Sequence, residues 1–259
     1  MGSGCERMKY YKEFAQKMIL TFDDVIVIVG NRHTAARIVA DYASKGLLIK
    51  VKRDLYVVAS MENGGVIPNE NQIGCALKPN AFISHHSALV LYGYYNQVYS
   101  TIDVSSPTRF DPIFFEGKEY RHHHSSWLEQ VETMGNSVRV TTIERTMIDS
   151  IKDLKKTMDF EELIRCLELV PWANEQALLK VLSHYDNQLL WKKAGYVLGH
   201  CKIRFTLSES FYTTCRSKGK TSVGYFCSDS KTTQRYDKEW GLFVPKMQSD
   251  LEGFPDVLL

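Results

Sequence analysis

No run of 18 apolar residues occurs in this chain of 259, so no segment reads as a membrane-spanning helix. No apolar signal core opens it either: MILTFDDVIVIVG is broken by Asp23 and Asp24. Met1-Gly2 resembles a myristoylation start, but Glu6 stands where Ser or Thr is required. The six cysteines, Cys5, Cys75, Cys166, Cys201, Cys215 and Cys227, include no C-x-x-C pair and match no zinc spacing. No metal is expected from them, and scattered thiols without a signal point to a reducing, cytoplasmic setting. Neither G-x-G-x-x-G, G-x-x-x-x-G-K-[ST] nor G-x-S-x-G is present, which leaves no sign of the common phosphate loops or a hydrolase elbow. Internal repeats and low-complexity segments are absent, and the net charge is only +2.

Within that near balance the charge is unevenly placed. Residues 1–60 hold ten Lys/Arg against six Asp/Glu, residues 61–155 eight against eleven, and residues 156–259 fourteen against thirteen. The excess sits on the first segment, where a DNA reader would need it. There, residues 21–59 run TFDDVIVIVGNRHTAARIVADYASKGLLIKVKRDLYVVA. Thr21 can cap a helix whose Phe22, Val25, Ile26 and Val29 share one face. The β-branched run VIVIV by itself favours a strand, which would turn residues 25–45 into a βα unit. GNRHTA fits neither phosphate-loop pattern, so the reading is helix, with Gly30-Asn31 as stop and turn.

A second helix is predicted from Arg32 to Lys45, closed by Gly46, with Ala35, Ile38, Val39 and Tyr42 as its apolar stripe. Arg32, His33, Thr34 and Arg37 then stand where a recognition helix meets base edges in the major groove. Taken alone, the same face suits a solvated amphipathic helix. The hairpin that follows changes the balance. LLIKV and LYVVA flank Lys52-Arg53-Asp54, placing Lys50, Lys52 and Arg53 near a tip able to meet a phosphate backbone. Together these features predict a winged helix-turn-helix that binds double-stranded DNA.

Residues 8–20 predict a further helix completing a three-helix core. The polar stretch SMENGGVIPNENQ, residues 60–72, is the best linker. The expected organisation is therefore α+β: a winged helix-turn-helix domain, 1–62, followed by a larger mixed α/β domain, 63–259. In the second part a short helix is expected over 73–77, and a helix from His85 to Tyr92 between Ser84 and Gly93. Strands are expected over 98–106, 112–121 and 137–141. Thr141 and Glu144 have capping-box spacing, and Arg145 and Asp149, four apart, can form a structural ion pair. Helices follow over 159–170, 174–185, 187–201 and 207–216, with strand-like VGYFC and WGLFVP near the end.

Three side-chain groups invite sharper readings. His122-His123-His124 would alternate faces on a strand, so at most two could share an ion; a polar strand is the simpler account. His85-His86 opens a helix and suits packing and hydrogen bonding. Asp103 with Glu116-x-Lys118 resembles a restriction-type nuclease set, at a permissive spacing. Finally, Lys192, Lys193, Lys202, Arg204, Arg216, Lys218 and Lys220 face one acid, Glu209, between residues 192 and 220. They form either a solvated helix face or a second nucleic-acid surface.

KGLLIKVKRDLYVV, AFISHHSALVLYGYY and TTIERTMIDSI, in this order, resemble the AbiEi-type antitoxins of type IV toxin–antitoxin, or abortive phage infection, systems. WGLFVP is similar to a closing signature of some members, and the resemblance spans residues 8–245. It implies a winged helix that represses its own operon at inverted repeats. It also implies a C-terminal domain that counters a nucleotidyltransferase toxin without a stable complex. No enzyme activity and no cofactor are implied. Where members often carry Gly at the wing turn this chain has Asp54, a residue that tolerates left-handed geometry. The alternatives are a winged-helix regulator with a ligand-sensing domain and a metal-dependent nuclease fused to a winged helix.

Overall fold

The computed structural model describes residues 9–200, 205–219, 223–227 and 234–246. It is a mixed α/β fold, with three sheets among the described residues. The first elements are α1 (Tyr11–Lys17), β1 (Ile19–Thr21), α2 (Phe22–Val29), α3 (Arg32–Ser44), β2 (Leu48–Lys52) and β3 (Leu55–Val58). Next come α4 (Glu70–Ala76), β4 (Phe82–Ile83), α5 (His85–Tyr92), β5 (Thr101–Ser106), β6 (Ile113–Phe115), β7 (Lys118–His124), β8 (Val131–Met134) and β9 (Val138–Thr141). Helices α6 (Ile143–Lys152), α7 (Leu154–Thr157), α8 (Phe160–Leu169), α9 (Glu175–Tyr185), α10 (Gln188–His200) and α11 (Glu209–Gly219) follow. Strands β10 (Gly224–Tyr225), β11 (Gln234–Asp237) and β12 (Leu242–Pro245) complete the described chain. Among the described residues no helix is long and apolar enough to cross a membrane.

The sheets are ordered β1-β3-β2, β6-β7-β5-β4-β9-β8 and β10-β12-β11. The first is antiparallel throughout. In the second, β5 and β7 run parallel, while β4 is antiparallel to β5 and β6 to β7. The described residues fall into two compact units. One holds those up to Ile83 with Ser100–Glu129 and Thr133–Arg139; the other holds Ser84–Tyr99, Gln130–Glu132 and those from Val140 onward. The expected boundary near residue 62 falls inside the first unit. The polar stretch after residue 59 is a closed turn there: Ser60 N–H donates to the Gly65 carbonyl at 2.8 Å, and Ala59 bridges to Val66. It leads into α4, where Asn69 and Gln72 form a capping box.

In the first unit the core of the N-terminal part is Phe14, Leu20, Val25, Ala35, Val39, Tyr42, Leu48 and Val58. The β-branched α2 is a helix because its start is held from both sides. Asp24 N–H donates to Thr21 Oγ1 at 3.1 Å, and Thr21 N–H donates to Asp24 Oδ2 at 2.8 Å. Thr21→Ala removes one half of that box and should cost about 1 kcal/mol, read as a lower urea midpoint. An unchanged midpoint would mean that packing alone holds the helix.

Several expectations need correction. The helix over 8–20 is only α1: Met18, at φ 62°, ends it, and Ile19–Thr21 pair with β3 instead. Burial of Leu20 in that pairing outweighs helix continuation. The expected strand 112–121 folds back on itself at Glu116-Gly117 (φ 48° and 71°), giving the β6–β7 hairpin; paired positive φ angles are what a tight two-residue hairpin turn demands. The Thr141/Glu144 box does not form. Thr142 stands at the N-cap position of α6 without a side-chain capping bond, Thr141 Oγ1 bonds Thr146 Oγ1 at 2.7 Å, and Glu144 accepts the Asn174 N–H at 2.9 Å. Strand β11 had no counterpart in the sequence reading.

Candidate nucleic-acid interface

Helix α3 is presented by its entry. Gly30, at φ 83°, reverses the chain after α2, and Asn31 caps α3 by accepting the Thr34 N–H at 3.0 Å. Ala35, Val39 and Tyr42 then face inward, with Tyr42 edge-on to Phe14 at 5.5 Å between ring centroids. Arg32, His33 and Arg37 are exposed on the other side, among the small side chains Ala36 and Ala40. The Arg32 guanidinium lies over the Phe22 ring at 5.4 Å. Arg37 borders a groove of about 500 Å³ shared with Lys9, Tyr10 and Asp41. Thr34, expected among the base readers, is half-buried, its hydroxyl 3.4 Å from the capping Asn31 oxygen.

In the hairpin, Lys50 and Arg53 are exposed and Lys52 is half-buried. Arg53 lies 3.5 Å from Asp54, which takes φ 59° at the turn. The β2–β3 register shifts between Lys50 and Lys52, marking a bulge at the tip. Burial and then the charge of Lys78 hold the Lys52 pKa below the usual lysine value. Lys78, from the turn after α4, therefore belongs to the hairpin's electrostatic neighbourhood. Sequence reasoning missed it because it lies outside the hairpin motif.

No protein-family model and no curated protein matches the chain. Among solved structures it is similar to the RV2827C protein of Mycobacterium tuberculosis, with a TM-score of 0.67, 13% identity, and coverage of 93% of this chain and 90% of that one. At that identity the likeness concerns the fold, and it runs through nearly the whole of both chains.

The described members of the second basic group do not all lie on one exposed surface. Lys192 is buried, 6% exposed. Lys193 is half-buried with its ammonium over the Phe226 ring at 5.3 Å. Arg216 donates to Glu239 at 2.9 Å and also to Glu209. Lys218 is exposed, while Lys202, Arg204 and Lys220 lie outside the described residues. Linear charge density could not show this, because glycines at 219 and 241 leave the space that Lys192 occupies.

The histidine groups are mostly structural in setting. On β7, His123 is buried and bonded to Asp103 at 2.7 Å, and His122 bonds the Ser106 carbonyl at 3.1 Å; His124 is exposed. The nuclease-like set is thereby split, with Asp103 engaged by His123 and Glu116 in the hairpin turn. His86, Glu162 and Cys166 lie within metal-ligand reach of one another and are all buried. Glu162 is already occupied: it accepts from the Gln97 amide at 2.9 Å, the Asn96 amide at 3.1 Å and Asn96 Nδ2 at 3.2 Å. Burial, then the hydrogen bond and charge of Glu162, push the Cys166 thiol pKa well up, and the thiol donates to Glu162 Oε1 at 3.2 Å. The arrangement fits a hydrogen-bonding hub that ties α8 to the segment after α5.

Proposed function

We propose that this protein is a DNA-binding antitoxin of a type IV toxin–antitoxin system. In this reading the N-terminal segment is a winged helix-turn-helix that represses its own operon at inverted repeats. The larger C-terminal part counters a nucleotidyltransferase toxin without a stable complex and carries out no catalysis. The observation that carries the DNA half is the division of α3: a buried stripe on one side and exposed Arg32, His33 and Arg37 on the other, in the same compact unit as a basic hairpin. The antitoxin half rests on the family resemblance of the quoted motifs.

The hairpin supplies the test. Lys50, Lys52 and Arg53 would contact phosphates, so changing all three to Ala should weaken operator and random DNA alike. Each lost phosphate contact should lower the slope of log K against log salt by about 1. A gel-shift series across salt concentrations reads the slope, and an unchanged slope would remove the hairpin from the interface. For the antitoxin half, co-expression of the full chain with a nucleotidyltransferase encoded beside it should restore growth. A regulator with a ligand-sensing domain would bind DNA and fail to rescue.

A further inference from the structure

The second unit contains a cleft of about 480 Å³, within the size range of small-molecule sites. It is lined by Lys192, Arg216, Tyr236, Lys238, Glu239 and Trp240, three cations against one carboxylate. Glu239 and the neighbouring Glu209 both accept from Arg216, but a guanidinium has five N–H donors and is not exhausted by two carboxylates. Lys192 has an unusual seat. A Cβ at Gly219 would stand 2.6 Å from its Cγ, and one at Gly241 would stand 3.1 Å from its Nζ. Two glycines from different parts of the chain thus make way for one buried lysine, whose ammonium reaches the Gly241 carbonyl at 3.5 Å. Burial pushes its pKa below the usual lysine value. Tyr236 is 46% exposed on the cleft wall, with its ring 5.1 Å from that of Phe243. The Trp240 ring lies 5.7 Å beneath the Arg216 guanidinium.

We propose that this cleft binds a nucleotide, its phosphates at Lys192, Arg216 and Lys238 and its base against Tyr236. Clustered cations favour phosphate oxygens through charge-assisted hydrogen bonds, and an exposed aromatic ring gives a base a stacking surface. An inorganic anion would use the cations and leave the aromatic wall idle. The site stands apart from the DNA reading, because every residue in it belongs to the second unit.

The test is calorimetric titration of the full chain with adenosine triphosphate, inorganic tripolyphosphate and adenosine. The triphosphate should bind most tightly, and adenosine least. Lys192→Met, which keeps the stem's volume, should weaken binding about tenfold or more, the loss of one charge-assisted contact. Lys238→Ala and Tyr236→Ala, both at exposed positions, should each weaken it several-fold with unchanged circular dichroism, while the exposed Lys180→Ala should leave it unaltered. Tripolyphosphate binding as tightly as the nucleotide would overturn the base contact. No nucleotide binding at millimolar concentration, or equal binding by all variants, would overturn the site.

Discussion

Asp149→Ala is expected to destabilise the second unit by about 3–5 kcal/mol, because it removes the carboxylate paired with a buried guanidinium. Arg145 is 0% exposed, and its Nε donates to Asp149 Oδ2 at 3.3 Å. The other carboxylate oxygen accepts from the Tyr185 hydroxyl, tying α6 to α9. Burial, then the charge of Asp149, push the Tyr185 pKa well up, so the phenol remains a donor across the working pH range. Helix α6 also packs on α5, α8 and α10, so the pair lies where the unit's helices converge. Scanning calorimetry should show a transition lowered by roughly 6–20 °C, taking about 2–4 °C per kcal/mol for a unit of this size. Replacing both partners, as Arg145→Met with Asp149→Leu, should cost much less than the sum of the single changes, because no charge is then left unpaired. A single variant as stable as the parent would show that Arg145 is compensated elsewhere.

Arg32→Ala and Arg37→Ala should each cost about 1–3 kcal/mol of operator binding, roughly 5- to 150-fold, and relax sequence preference at the base contacted. Both side chains are exposed on α3, so neither truncation should unfold it. Arg32 also stacks on Phe22, a contact that contributes about 0.5–1 kcal/mol to local order at such an exposed site. Arg37 is therefore the cleaner probe. Thr34→Ala should act differently, through the α3 cap, with a small effect on stability and little on base preference. The measurement is a gel-shift series on operator and random duplexes at one salt concentration. Equal loss on both by Arg37→Ala would make the contact a phosphate contact and reject base readout.

Several local signals were legible in the sequence alone. Helix α2 was legible through Thr21, Asp24 and Gly30, although its β-branched run pointed toward a strand. Helix α3 followed from the spacing of Ala35, Val39 and Tyr42, and α5 from Ser84 and Gly93. The Arg145–Asp149 pair was legible too, since four residues along a helix bring two side chains together whatever surrounds them. Strand β1 was not, because three residues carry no period of their own and are extended only by pairing with β3, more than thirty positions later. Strand β11 is the same case, four residues held by β12.

Charge behaved likewise. The sequence established that lysines and arginines gather between 192 and 220; only the tertiary structure decided that Lys192 turns inward while Lys238 and Tyr236, from another segment, join it. The reason is steric: room for a buried lysine depends on which distant positions lack a Cβ, here Gly219 and Gly241, and no local window records that.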